Sequence, residues 1–313
     1  MRSAAQRGLA PSASVVVFLS FSLVALQTAA AEQHFEFTSY KDVEKLFAEL
    51  NYTPEAWRAG IRAVPRLYLQ EISSRWRDKY TDEISIPTKK RLFFRALAPL
   101  ALRSNELILA DRDRLYSLNE SFESFEALSA RDQIWLEEIA NRYRVLPDDS
   151  NIPDRTSLEM LKLRVDIVPL SIALSQSAEE SGWGTSRFAA EGNALFGQWS
   201  WGKGIKPKQQ RTSEHGDYRI ASFSTPLDSV VAYTHNLNTG NAYQRLRARR
   251  AELRANNQPI RGMDIVDTLD KYSERGTDYV DTLKSIIQFN DLDDADDAYF
   301  EGENVWLLIP VDH

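Results

Sequence analysis

The chain has 313 residues, a formal net charge of −7, no cysteine and 43% hydrophobic residues. That length buries a sizeable core, as one large domain or two modest ones. The acidic balance and the lack of a basic run argue against a nucleic-acid partner, and without cysteine neither disulfides nor thiolate-bound metal can hold the fold. In chain order, Arg2 and Arg7 precede an apolar run from Val15 to Leu26, followed by Thr28-Ala29-Ala30-Ala31. A positive start, a short apolar stretch and an A-x-A site read as a secretory signal peptide cut after Ala31. The competing reading is an uncleaved anchor, for which the run is short. The expectation is an exported, periplasmic protein with no membrane span after signal cleavage.

From Phe35 to Leu146 the periodicity predicts helix after helix. Val43, Leu46, Phe47 and Leu50 share one face, and Pro65 opens or interrupts a segment from Arg66 to Asp78. Thr88 starts a longer helix carrying Leu92, Phe93, Ala96 and Leu97, broken or kinked at Pro99 and continuing towards Leu118. Another helix runs from Ser129 to Tyr143. The pairs Asp111/Asp113 and Glu137/Glu138 read as solvated faces. Leu146 to Arg155, LPDDSNIPDR, is the expected boundary, with the N-terminal helices packed against the following lobe.

The stretch from Leu170 to Trp201 carries the chemistry. Leu170, Ala173, Leu174 and Ala178 recur at helical spacing and run into Glu179-Glu180-Ser181-Gly182-Trp183-Gly184, where the glycines signal a helix end. Glu180 is therefore expected in the last turn of a mostly buried helix. The negative end of the helix dipole and burial beside an indole both disfavour its ionised form. A carboxyl still protonated near neutral pH suits protonation of a glycosidic oxygen. The plain alternative is a helix cap with an exposed acidic pair and a core tryptophan; Glu179 reads as solvated.

These residues, with Asn193-Ala194-Leu195-Phe196-Gly197 downstream, resemble the signature of the glucosaminidase superfamily, glycoside hydrolase family 73, which cleaves peptidoglycan. The longer run NALFGQWSW through NLNTGNAY to YSERGTDYV, roughly Leu158 to Asn290, resembles the Bax-like bacterial proteins of that superfamily. The Asn193–Gly197 block is one residue longer than the usual N-L-F-G. The resemblance implies a mostly α fold: a lysozyme-like helical lobe with a small β-hairpin lobe, plus an N-terminal helical extension. The chain then divides into a signal peptide (1–31), a helical N-terminal region (32–150), a glucosaminidase-like catalytic domain (151–290) and an acidic C-terminal tail (291–313). Glu180 inherits the general-acid role, and the bond implied is the β-1,4 linkage of the peptidoglycan glycan strand, in the manner of an endo-β-N-acetylglucosaminidase.

Arg211 to Phe223 reads as a β-hairpin turning at His215-Gly216-Asp217. Relatives place a second carboxylate in such a hairpin, where Glu214 is the nearest candidate and Asp217 stands behind it; turns also carry acids for ordinary reasons. Thr225-Pro226-Leu227-Asp228 is a helix start, and Asn236, Asn238, Asn241 and Tyr243 after it form a cleft wall or a buried turn. Asp264 to Tyr272 and Thr277 to Asn290 read as short helices around Ser273-Glu274-Arg275-Gly276. The superfamily's aromatic block implies a catalytic-site tyrosine, for which Tyr272 is the first choice. Trp183, Asn193, Phe196, Trp199, Trp201 and Tyr279 are the expected substrate contacts, at least one aromatic lying in the core.

No metal is expected, because His34, His215, His235 and His313 lack ligand spacing and Asp291 to Asp297 lack the glycine and glutamate of a calcium loop. No glycine-rich phosphate turn points to a nucleotide, no nucleophile elbow is present, and no cofactor is implied. Peptidoglycan glycan strands are the expected partner, and no motif indicates a protein partner. Two rivals stay open: a wall-binding protein that does not cut, and a lytic transglycosylase in which Glu180 works alone.

Overall fold

The computed structural model describes residues 32–80, 83–120, 122–146, 152–208 and 216–311. The signal-peptide reading of residues 1–31, the centre of the boundary loop and Glu214 lie outside the described residues. β1 (Glu32–Phe37), α1 (Tyr40–Glu49), α2 (Pro54–Arg58) and β2 (Ala63–Leu69) come first. After a π-helical turn (Trp76–Tyr80) come α3 (Ile86–Glu120), α4 (Ala130–Arg142), α5 (Arg155–Arg164), α6 (Leu170–Ser181) and α7 (Arg187–Gly192). β3 (Trp199–Ser200) and β4 (Arg219–Ile220) precede α8 (Pro226–Thr239), α9 (Gln244–Ala255) and α10 (Gly262–Ile265). α11 (Thr277–Phe289) and β5 (Tyr299–Pro310) complete the order. The fold is mostly α with a small β part, as the sequence implies.

Local chemistry sets the helix starts. Ser129 caps α4 by accepting from Asp132 N, and Thr225 and Asp228 form a reciprocal capping box on α8 ahead of Pro226. α3 runs through Pro99 as one helix and enters all three apolar cores. Leu92 packs with α1 and the sheet, Phe93 and Leu97 with α6, and Leu115 with α4 and α5. Burial along its whole length outweighs the lost hydrogen bond at proline, which costs about 3 kcal/mol in an unpacked helix.

Two sequence expectations fail here. The segment after Pro65 opens as strand to Leu69 and turns helical only towards Trp76–Tyr80, and β1 and β2 make the N-terminal region mixed instead of all-helical. Residues 291–311 are not a solvated tail. β5 is the central strand of a parallel sheet ordered β1-β5-β2, with Leu307 opposite both His34 and Tyr68. Pairing between strands more than 200 residues apart leaves no local pattern to read. The first arm of the expected Arg211–Phe223 hairpin lies outside the described residues; its second arm carries β4, which pairs with β3, Trp199 opposite Ile220, and Ile205 bridges to Ile220.

A buried polar hub sets the angle of α8 and α9 against the start of α6. Arg250, with no exposed surface, donates to the carbonyls of Asp166 and Ile167 at 3.0 and 2.7 Å and to Asn238 Oδ1 at 2.7 Å. The Asp166 carboxylate accepts from Arg254 at 2.8 Å. Removing one partner of such a network leaves a buried charge uncompensated.

Candidate active site

Glu180 sits in the last turn of α6, whose residues Leu170 to Ala178 are all buried. Gly182 caps the helix in the left-handed region at φ 57°, and Trp183 follows at φ 61°. Glycine takes that first position without a Cβ clash. This double left-handed turn carries the indole to the opposite side. Trp183 packs on Phe94 and Phe93, ring centroids 5.1 and 5.9 Å away, under Lys90.

Tyrosines supply the environment expected from the indole. Burial pushes the Glu180 carboxyl above its ordinary range, and the neighbouring Glu179 charge adds to this; a Tyr279 hydrogen bond and the Arg275 charge oppose it. Arg275 itself pairs with Glu179 at 2.8 Å. The Tyr279 hydroxyl accepts from Gln176 Nε2 at 3.0 Å, while Gln176 Oε1 accepts from Tyr233 at 2.6 Å. With its oxygen accepting from Gln176, Tyr279 turns its proton to Glu180. The result is a buried relay, Tyr233 to Gln176 to Tyr279 to Glu180, that orients the acid.

The strand side completes the pocket. Tyr272 donates to the Phe196 carbonyl at 3.0 Å and stacks on Tyr279 with an interplanar angle of 6°. Phe196 itself is 2% exposed and stacks on Tyr233 at 3.8 Å, so its ring belongs to the core. Next to it Gly197, at φ +60°, brings bare backbone against the acid.

Glu180 opens onto a groove of about 1290 Å³. One wall carries Trp199 and Trp201, 43% and 72% exposed, with Tyr218 stacked on Trp199 at 4.5 Å. Exposed indoles beside a polar groove suit the apolar faces of sugar rings. α8 contributes His235, Asn236 and Thr239, and the turn from Asp270 to Gly276 lines another side. Asp270 pairs with Arg245 at 2.8 Å. Gln198 also lines the groove, and its Oε1 is buried with no hydrogen-bond partner among the described residues.

The sequence-chosen residues therefore separate. Glu180, Phe196, Trp199, Trp201 and Tyr272 line the groove, and Tyr279 lies behind Glu180 as its donor. Trp183 does not line it. Asn193 is buried as a bracket: Oδ1 accepts from Ile72 N at 3.0 Å, and Nδ2 donates to the Phe223 and Ser224 carbonyls. Asp217, the reserve carboxylate, pairs with Lys206 at 3.2 Å. Sequence reading did not single out Arg144, His235 or Gln198. Asn236 and Tyr243 were flagged as a block, but nothing in a linear pattern marks the others. Among the described residues, no three His, Asp or Glu side chains converge to hold a metal ion.

The helical lobe is that of a glucosaminidase domain. Residues 156–292 match the family described as mannosyl-glycoprotein endo-beta-N-acetylglucosaminidase. Protein bax of Escherichia coli (strain K12) is 36% identical over 205 residues, which span 64% of this chain and 70% of that protein. The chain belongs to the Bax-like glucosaminidase-domain proteins. No solved structure matches it.

Proposed function

We propose that the protein is an exported hydrolase of peptidoglycan glycan strands, with Glu180 as the general acid for β-1,4 bonds. The observation that carries the reading is the carboxyl at the end of α6, half-buried, raised by burial, and opening onto an aromatic-walled groove. In the reaction, Glu180 gives its proton to the leaving oxygen as positive charge grows on the neighbouring sugar carbon. Tyr279 then stabilises the carboxylate that remains, since its hydroxyl favours the ionised form. Trp199 and Trp201 offer the sugar platform. Residues 1–31 supply the export signal in this reading, and among the described residues no helix is long and apolar enough to cross a membrane.

A single-acid variant of the reaction draws on a specific observation. Among the described residues, the charges that bear on Glu180 are those of Glu179 and Arg275, and neither is placed as a second catalytic carboxylate. If Glu214 does not serve as base, the substrate's own groups complete the reaction and the products carry 1,6-anhydro ends. Digesting purified wall and reading product ends by mass spectrometry separates the routes. Glu180→Gln is expected to fold normally and release no glycan fragments; release at the wild-type rate removes Glu180 from the role. A wild-type protein that binds wall and releases nothing leaves only a binding role.

A further inference from the structure

Among the described residues, the groove has one contributor from outside the matched domain. Arg144 follows α4, precedes residues 156–292, and lines the groove with Glu180. Its backbone is clamped: its N–H donates to the Asn141 carbonyl at 3.0 Å and its carbonyl accepts from Arg164 at 2.9 Å. It holds φ 56°, just past the end of α4, where glycine or asparagine is the usual choice. A side chain there carries backbone strain, so an exposed arginine at this point is not explained by backbone preference.

Its charge is also unspent. The other groove cations have acids beside them: Arg275 pairs with Glu179 at 2.8 Å and Lys271 lies 3.8 Å from Asp270. Neighbouring Arg142 pairs with Asp111 at 2.9 Å. Arg144 has no ion pair among the described residues. Its charge and that of Arg142, after burial, hold His235 below its ordinary range, so this α8 side chain supplies no counter-charge.

We propose that Arg144 binds a carboxylate carried by the glycan and sets a preference for acid-bearing over neutral strands. The inference rests on the peptidoglycan reading, because what distinguishes that glycan from a neutral N-acetylglucosamine polymer is the lactyl ether on alternate sugars. That group presents a carboxylate directly when the peptide stem is absent, and through the stem's own acids when it is present. A guanidinium meets either as a forked, charge-assisted pair.

The test is a titration in the Glu180→Gln background, which stops cleavage. The ligands are a neutral N-acetylglucosamine oligomer, a peptide-free peptidoglycan oligosaccharide with free lactyl acids, and the same oligosaccharide with its stems. The parent is expected to favour acid-bearing ligand by about tenfold, a preference that weakens at high salt. Arg144→Asn, which tolerates the left-handed backbone, is expected to abolish it, and Arg144→Lys to keep part of it. Which oligosaccharide carries the preference identifies the lactyl or the stem acids as the source. An unchanged preference in Arg144→Asn overturns the proposal, as does a parent that shows none. An Arg144-dependent preference in a protein whose wild type releases no product defeats the hydrolase reading alone.

Discussion

A Cβ placed on Gly197 would stand 3.1 Å from Glu180 Oε2, so the absence of a side chain at one position makes room for the acid at the other. The two are linked by the chain path as well, since Tyr272 holds the preceding Phe196 carbonyl at 3.0 Å. Gly197→Ala combines left-handed strain with displacement of the carboxyl. Strain alone costs about 1–2 kcal/mol, and a carboxyl made to give by a few tenths of an ångström loses about tenfold in rate. Glycan release is expected to fall by about that factor while the far-ultraviolet dichroism spectrum stays native.

The pH profile follows from the same carboxyl. A general acid works protonated, so activity declines as pH rises through the Glu180 pKa, which burial sets above the ordinary glutamate range. Tyr279 opposes that rise by donating to the ionised form. Tyr279→Phe removes that donor and is expected to move the alkaline limb upward. A rate–pH curve for the two proteins, in which the limb stays put or moves down, rejects this arrangement.

Trp199 and Trp201 sit edge to face at 6.3 Å, and both lie on the groove wall. Their exposure makes them poor contributors to stability. Trp199→Ala or Trp201→Ala is expected to weaken glycan binding by about tenfold, the worth of roughly one buried apolar face, with little change in melting temperature. By contrast Trp183→Ala, which opens the contact with Phe93 and Phe94, is expected to lower the melting temperature and leave binding nearly intact.

Asp296 fastens the segment leading into β5 to the start of α6. Its carboxylate accepts from Ser171 N at 2.9 Å, Ser171 Oγ at 2.8 Å and Gly262 N at 2.7 Å. Burial outweighs those donors and pushes its pKa from 3.8 up to about 6. A carboxyl raised on folding favours the native state below its unfolded pKa and loses that contribution as pH climbs through the folded one. The stability of wild type relative to Asp296→Asn is therefore expected to shrink by about 2 kcal/mol between pH 4 and pH 7, read from denaturant unfolding at each pH.

Much of the site was legible because its determinants are local. An apolar 3.6-residue repeat running into Gly182 places Glu180 in a last helical turn wherever the rest of the chain goes. Trp199 and Trp201 were readable as exposed aromatics because a short aromatic run between glycines has little to bury against. Trp183 and Asn193 looked the same in sequence. Two successive left-handed residues, and the donors and acceptors around Asn193, turned both inward. The direction of a side chain after a turn depends on φ values that a non-glycine residue does not announce.

By itself, then, the amino-acid sequence determined the helical character of the lobe, the cap at the end of α6 and the place of Glu180 in its last turn, all set by contacts within a few residues. Only the tertiary structure decided what surrounds that acid and what closes the fold. The Tyr233–Gln176–Tyr279 relay, the arrival of Arg144 in the groove and the place of β5 between β1 and β2 each join positions tens to hundreds of residues apart. Such pairings are selected by burial and hydrogen-bond satisfaction in the folded chain, and no short-range propensity encodes them.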